Sequence, residues 1–157
     1  MQTKNKPDYS AYLSDNHIQT GVFILYSSSR LMLFISGILK PFNLTFQQFN
    51  VLRILRESNS IVSIKYLAEK MIDPNSNCSR LVDKLVKKDL ARRIESETDK
   101  RIVNVEITEA GCQLVDKAST LVLTQFKDKM DVFSDEELQV LNNTLVKMNN
   151  IILKKSE

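Results

Sequence analysis

The most informative stretch of this chain reads Pro74-Asn75-Ser76-Asn77-Cys78-Ser79-Arg80-Leu81-Val82-Asp83-Lys84-Leu85-Val86-Lys87-Lys88. Four of its apolar residues recur at i, i+3, i+4 and i+7, a spacing that places them on one side of a helix. These residues are Cys78, Leu81, Val82 and Leu85. The stretch therefore predicts a helix that buries one side in a core and presents its polar side to a partner.

The polar side of this predicted helix combines short hydrogen-bonding side chains near its start with cations along its length. Hydroxyl, amide and guanidinium groups can read the edges of bases, and lysine amines can neutralise phosphates, so a DNA major groove calls for both. The candidate DNA-contacting residues are Ser76, Asn77, Ser79, Arg80, Lys84 and Lys87. An ordinary amphipathic surface helix has a similar pattern, so the neighbouring elements have to decide between the two interpretations.

Positive charge is concentrated around this stretch. The chain has 157 residues, the length of one domain with helical extensions, and a formal net charge of +3. Residues 75–101 contain eight cations and five anions, while the cations and anions of the remaining chain balance. A local excess of cations is typical of a surface that binds nucleic acid, although a solvated charged face has the same signature.

The composition argues against several other classes of protein. Two cysteines and one histidine provide neither a disulfide framework nor a usual tetrahedral metal site. No motif ties the histidine to a nucleophile, and the three glycines form no phosphate-binding loop. We therefore expect no enzyme activity, no metal and no cofactor.

The N-terminal part of the chain bears on its location. Residues 1–15 are polar and lack the apolar segment of a signal peptide, which predicts a cytoplasmic protein. Residues 22–39 are apolar enough to suggest a membrane span, but Arg30 interrupts them. Because arginine near a bilayer centre costs about 2.5–3.5 kcal/mol, we expect no membrane partner.

The elements around residues 74–88 predict a helix-turn-helix. Ser63 can cap a short helix that ends before Asp73, and Pro74 is suited to the first turn of the next helix. After that helix, residues 91–95 and 102–107 have the alternation typical of strands, and the polar residues 96–101 between them form a hairpin tip. A hairpin that directly follows a helix-turn-helix is the wing of a winged-helix fold.

The remaining helices are predicted to pair two subunits. A first helix, capped near Asp15 and ending at Leu39, is apolar on more than one side and requires cover from a second subunit. In the last helix, apolar residues step by three and four as in a coiled coil. They are Leu138, Leu141, Leu145, Met148 and Ile152. The predicted fold is mainly α with a small β-wing, with dimerisation helices in residues 1–40 and 109–157 and a winged helix-turn-helix DNA-binding lobe in residues 41–108.

Residues 44–118 resemble the MarR family of bacterial transcription regulators. The resemblance rests on the order and spacing of five segments, which are Leu44-Thr45-Phe46-Gln47-Gln48-Phe49-Asn50-Val51-Leu52, Leu67-Ala68-Glu69-Lys70-Met71, Ser79-Arg80-Leu81-Val82-Asp83-Lys84-Leu85, Asp99-Lys100-Arg101 and residues 107–111. It implies a winged-helix homodimer that binds sequence-specifically to a palindromic operator in double-stranded DNA. Such proteins usually act as repressors that a small molecule or oxidation releases.

The resemblance also assigns roles in the wing. Arg101 is similar to the family's minor-groove arginine, Asp99 would brace it, and Lys100 would supply charge to phosphates. A plain surface ion pair between Asp99 and Arg101 is the alternative.

An effector pocket is expected where the first helix meets the DNA-binding lobe, and it would suit a small aromatic or anionic molecule. The candidate lining residues are Tyr26, Arg30, Phe34, Phe49 and Arg53, although aromatic residues at helical spacing are also common in cores.

Two other functions stay open. The chain could be a winged-helix module that binds protein, or an oxidation-sensing regulator that uses Cys78.

Overall fold

The structure is a computed structural model that describes residues 15–95 and 103–153. Within these residues six α-helices and three short strands are present. The helices are α1 (Asn16–Leu39), α2 (Phe46–Ser58), α3 (Ile64–Lys70), α4 (Cys78–Val86), α5 (Glu109–Met130) and α6 (Asp135–Leu153), and a 3-10 turn at Lys40–Phe42 follows α1. The strands are β1 (Val62–Ser63), β2 (Ala91–Glu95) and β3 (Val103–Ile107). The prediction of a mainly helical fold with a small β-wing is confirmed.

Local capping chemistry determines where several helices begin. At α2, the Thr45 hydroxyl accepts a hydrogen bond from the Gln48 amide at 3.2 Å, and the Gln48 side chain accepts one from the Thr45 amide at 3.1 Å. Ser134 and Glu137 form the same reciprocal pair before α6. Each pair satisfies two amides that a helix start leaves unbonded. Both helix starts thus depend on residues only three positions apart in the sequence.

The hydrophobic core lies among α2, α3, α4 and the sheet. Its largest fully buried side chains include Leu52, Leu55, Leu67, Val82 and Leu85. They come from three successive helices, so each helix buries one side against the others. In α3, Leu67 is the buried residue, whereas the neighbouring Ala68 is exposed.

The three strands form an antiparallel sheet in the order β1-β3-β2. β3 is central, with Val105 opposite Val62 on one side and opposite Arg93 on the other. Val105 is fully buried, which attaches the hairpin to the core. Across the hairpin, Arg92 pairs with Glu106, and the Arg92 Nε donates to the Glu106 carboxylate at 2.7 Å.

α1 is unusual because few of its apolar side chains are buried. Only Ile38 and Leu39, at its C-terminal end, are buried. Leu25 and Leu33 are 72% and 65% exposed. By length and composition alone, the 27-residue segment Asn16–Phe42 could cross a membrane. The observed exposure is the expected property of a helix that needs cover from outside this chain.

The chain divides into two compact units. One unit ends at Ser119 and contains the winged helix-turn-helix, and the other begins at Thr120 and contains α6. None of the residues of α6 described at side-chain level is buried within the chain, and Val140, Ile151 and Ile152 are among its exposed apolar residues. The assignment of residues 1–40 and 109–157 to dimerisation stays a prediction.

Candidate nucleic-acid interface

The helix that carries the candidate DNA-contacting residues begins later than expected. It starts at Cys78, not at Pro74, so Ser76 and Asn77 precede it. The cause is Asp73, whose carboxylate accepts hydrogen bonds from the Asn75 amide at 3.0 Å and from the Ser76 hydroxyl at 3.2 Å. These bonds hold a turn, and an aspartate side chain in this role competes with the helix for the backbone.

Asn77 is the N-cap of α4. Its side-chain oxygen accepts a hydrogen bond from the Arg80 amide at 3.0 Å. The capping bond uses the amide oxygen, whereas the amide nitrogen keeps its two donor hydrogens. In this position Asn77 can still offer its amide donors to a base edge.

α4 has two chemically different sides. Cys78, Val82 and Leu85 are buried, with Cys78 only 4% exposed. Ser79, Arg80, Lys84 and Lys87 are exposed. Asp89, which follows the helix, has a positive φ of 57°, and the Leu90 amide bonds back to the Leu85 carbonyl at 3.0 Å. This left-handed residue ends α4 and sends the chain into the wing.

Arg93 of β2 joins the wing to α4, a contact that the sequence did not suggest. Its guanidinium forms an ion pair with the Asp83 carboxylate at 2.7 Å and donates to the Ser79 hydroxyl at 3.0 Å. The bond to Ser79 occupies one of the hydroxyl's acceptor positions, and its hydrogen remains available as a donor. Arg93 also neutralises Asp83, so the exposed side of α4 keeps a positive balance.

A small cleft lies beside the exposed side of α4. Its volume is about 300 Å³. Most of its lining is polar, and it comprises Gln47, Asp73, Ser76, Asn77, Arg80, Leu81 and Lys84. Four of the six candidate residues on this stretch therefore lie together, joined by Gln47 at the start of α2. Gln47 belongs to the segment that carries the family resemblance, which is the only signal in the sequence that could have indicated it.

The predicted wing-tip residues Asp99, Lys100 and Arg101 lie outside the described residues, and their roles stay predictions. The nearby strand residue Arg92 is exposed and paired with Glu106. The strands before and after the wing-tip residues are described, with β2 ending at Glu95 and β3 beginning at Val103.

The five candidate effector residues do not share one environment. The Arg30 guanidinium lies 5.0 Å from the centre of the Tyr26 ring, and its Nε donates to the Tyr26 hydroxyl at 3.0 Å. Phe34 is half-buried, whereas Phe49 is 6% exposed and belongs to the core. Arg53 pairs with Glu57 and lines a cleft of about 230 Å³. Of the five candidates, the structure thus brings together only Tyr26 and Arg30.

Cys78 has the environment of a structural thiol. Burial raises the pKa of the Cys78 thiol, so it stays protonated at neutral pH. Because the thiolate is the reactive species, this environment disfavours oxidation sensing through Cys78. Among the described residues, no group of three or more His, Cys, Asp or Glu side chains could hold a metal ion.

α2 is tied to α5 by an ion pair between Arg56 and Asp116. The Arg56 Nε and one terminal nitrogen each donate to the Asp116 carboxylate at 3.0 Å. This hydrogen bonding lowers the pKa of Asp116 below its ordinary value. The pair is exposed, so it contributes more to the geometry of the contact than to stability.

Comparison with known sequences supports the same architecture. The family model described as "MarR family" matches residues 44–103. The chain is 26% identical over 118 residues to the uncharacterized HTH-type transcriptional regulator YsmB of Bacillus subtilis, an alignment that covers 75% of this chain and 80% of the relative.

Solved structures are also similar to this fold. A mutant MarR from E. coli, complexed with operator DNA, has a TM-score of 0.75 and 24% identity, with 86% of this chain and 99% of that chain covered. The organohalide-sensing regulator RdhR-CbdbA1625, bound to 2,4-dichlorophenol, has a TM-score of 0.81 and 19% identity, with 96% and 88% covered. Both likenesses concern the winged-helix fold.

Proposed function

We propose that this chain is a helix-turn-helix transcription regulator of the MarR type, since the MarR family model matches residues 44–103, and that it binds double-stranded DNA sequence-specifically through α4. The observation that supports this most is the division of α4 into two sides. Cys78, Val82 and Leu85 are buried in the core, while Arg80 and Lys84 are exposed beside it. A helix supported in this way can enter a major groove without losing its place in the fold.

The chemistry of the exposed side favours DNA over a protein partner. Arg80 can donate two hydrogen bonds to guanine, and Lys84 and Lys87 can neutralise phosphates. A winged-helix module that binds protein has no need for these cations. If the wing-tip residues act as the resemblance implies, Arg101 would extend the contact into a minor groove, with Asp99 and Lys100 supporting it.

The DNA-binding form is proposed to be a homodimer on a palindromic operator. Two recognition helices related by a two-fold axis would enter major grooves about 34 Å apart. The exposed apolar residues of α1 and α6 support this, since water would otherwise cover them. For α1, a second copy is a better cover than lipid because Arg30 interrupts the apolar segment. A protein covered in this way would be cytoplasmic.

The regulator is further proposed to act as a repressor that a small effector releases. The guanidinium of Arg30, held over the Tyr26 ring, is suited to an aromatic molecule with a phenolate or carboxylate group. The binding of 2,4-dichlorophenol by the similar regulator RdhR-CbdbA1625 gives a precedent for that class of molecule. Release requires that the effector bind the DNA-free state more tightly than the DNA-bound state.

The test begins with DNA fragments selected from a random pool by the purified full-length protein. On the selected DNA, Arg80→Ala is expected to lose about 1–3 kcal/mol of binding free energy, the contribution of a bidentate contact to a base. Its melting temperature should stay close to that of the wild type because Arg80 is exposed. Lys117→Gln, which removes an exposed cation from α5, is the control and should bind normally.

Equal DNA affinity of wild type and Arg80→Ala would contradict the assignment of α4 as the reading element. Failure to select any DNA would instead favour a protein partner.

In the same assay, 2,4-dichlorophenol or benzoate should weaken DNA binding by the wild type and not by Arg30→Gln. An unchanged affinity with a panel of such compounds would contradict effector release.

A further inference from the structure

A second, larger cleft adjoins the small cleft beside α4. Its volume is about 650 Å³, and it opens between the end of α1, the start of α2 and the end of α4. Four lysines line it, Lys40, Lys84, Lys87 and Lys88, and none of the described lining residues is acidic. We call this feature the lysine cleft. Four cations around one cavity create a positive potential that attracts anions.

The amine of Lys88 is held in place by neutral groups. It donates to the Asn43 carbonyl and, at 3.4 Å, to the side-chain oxygen of Gln48. Gln48 is itself buried and fixed by its bond to the Thr45 amide. Both acceptors are uncharged, so they restrict the position of the Lys88 amine without forming an ion pair with it. Among the described residues, no ion pair engages Lys40, Lys84 or Lys87 either.

Helix ends explain how the folded chain tolerates these charges. Lys40 is the C-cap of α1, Lys84 lies in the last turn of α4, and Lys87 is the C-cap of α4. The C-terminal end of a helix has a partial negative charge that favours nearby cations. The charges are thus accommodated without carboxylates, and they remain available to a ligand.

The walls of the cleft strengthen the attraction. Leu44 is buried and Phe46 is half-buried at the start of α2. Apolar walls lower the local dielectric constant, which makes interactions between the amines and an anion stronger than in open water. Lysine amines bind phosphate oxygens as point charges, so a cleft lined by four of them suits a phosphate better than a base edge.

We propose that the lysine cleft binds a phosphate oxyanion. It shares Gln47 and Lys84 with the small cleft that holds Asn77 and Arg80, so the two clefts adjoin. A phosphodiester of bound DNA is therefore one source of the anion, and this source rests on the proposed function. A free phosphate-bearing molecule offers the same oxygens. Lys40, outside the helix-turn-helix, becomes part of the binding surface in either case.

The first arm of the test measures salt dependence. The full-length protein is titrated with a mixed-sequence DNA duplex at several KCl concentrations, and log K is plotted against log salt. Each phosphate contact contributes about 0.9 to the slope, so Lys40→Gln should have a slope shallower by about 0.9. Lys40→Arg, which keeps the charge, and Lys117→Gln, which removes a distant one, should match the wild type. Preference for selected over mixed-sequence DNA should not change, since phosphate contacts do not read sequence.

The second arm uses inorganic phosphate without DNA. At constant ionic strength, phosphate should shift the NMR resonances of the Phe46 and Gln47 amides in the wild type and in Lys117→Gln, and not in Lys40→Gln. A slope change without phosphate shifts identifies DNA as the source, and phosphate shifts without a slope change identify a free anion. The proposal is overturned if Lys40→Gln has the slope of Lys117→Gln and phosphate shifts neither amide. If the wild type binds no DNA, the proposed function fails, and the second arm still decides on the lysine cleft.

Discussion

α4 and α1 each leave one side without cover, but the chemistry of the two uncovered sides is opposite. α4 buries its apolar residues in the winged helix-turn-helix and exposes Arg80 and Lys84. α1 buries only Ile38 and Leu39 and exposes large apolar residues such as Leu25 and Leu33. One helix is complete within the chain and lacks only a polar partner. The other lacks part of its hydrophobic core.

The difference indicates two kinds of partner. A polar, cationic side is well solvated, so α4 is stable in water whether or not DNA is bound. Exposed apolar side chains, by contrast, raise the free energy of the single chain until another surface covers them. Dimerisation should therefore affect the stability of the protein, and DNA binding should affect it much less. The predictions below test this separation.

The largest effect is expected from charges on α1. Leu25→Glu combined with Leu33→Glu would bury unpaired carboxylates in the proposed dimer, at a cost of about 3–5 kcal/mol each. We expect dimers to dissociate in analytical ultracentrifugation, with loss of tight binding to a palindromic operator. Ser27→Glu is the control, because residue 27 is about 200° around the helix from residue 25.

A wild-type chain that sediments as a monomer would remove the basis of the comparison. So would a double variant that still dimerises, because the exposed residues of α1 would then need a different explanation.

A smaller effect, on the stability of the fold, is expected from adding a side chain at Gly111 in the winged-helix unit. A Cβ on Gly111 would collide with the Leu90 carbonyl oxygen and lie 2.8 Å from the Ile107 Cγ1. Gly111→Ala should lower the free energy of unfolding by about 1–3 kcal/mol, the usual cost of overpacking. Urea denaturation monitored by circular dichroism measures this loss.

Gly21 of α1 is the matched position, since a Cβ there meets nothing within 4 Å in the described residues. Gly21→Ala should raise stability by up to about 1 kcal/mol through helix propensity. If Gly21→Ala destabilised the dimer, the second copy would have to approach α1 at that glycine. If Gly111→Ala were neutral, α5 would not be held against Leu90 as described.

The smallest effect is expected from the exposed ion pair of Arg56 and Asp116. Hydrogen bonding to Arg56 lowers the pKa of Asp116 in the folded state, so its contribution to stability is present above the ordinary aspartate pKa of about 3.9. The contribution is lost as pH falls through the lowered pKa. Asp116→Asn should remove this acid-dependent part, measured as the melting temperature of wild type minus variant between neutral and acidic pH.

Asp128→Asn, at another exposed aspartate of α5, controls for the loss of a carboxylate. If both variants had the same pH dependence, the contact with Arg56 would have no influence on stability. In either case the effect should be far smaller than that of changes on α1.

Interactions within a few residues made most of the fold predictable from the sequence. The capping boxes at Thr45 and Ser134 need only residues three positions apart, and both are present. The apolar stripe of α4 was read correctly because burial follows the helical period. The start of α4 was predicted incorrectly, because the side chain of Asp73 stabilises a turn that the pattern of apolar residues does not reveal.

The candidate site was less predictable because its geometry depends on contacts between distant segments. Arg93 of β2 contacts Ser79 and Asp83 of α4, which it reaches only because the chain turns at Asp89 between the two elements. In the lysine cleft, Lys40 lies near the end of α4. The periodicity of apolar residues along the sequence does not predict a contact between segments so far apart in the chain. The roles of Asp99, Lys100 and Arg101 stay predictions, as they lie outside the described residues.

The bond of Arg93 to α4 limits how the protein can adapt to curved DNA. One guanidinium contacts both Asp83 and Ser79, so a tilt of the hairpin would either move α4 with it or break these contacts. If the protein binds DNA as proposed, hairpin and helix would turn together when a groove widens or narrows, as long as the contacts hold. DNA whose curvature suits only one of the two elements would then bind less tightly, even when every base contact is available.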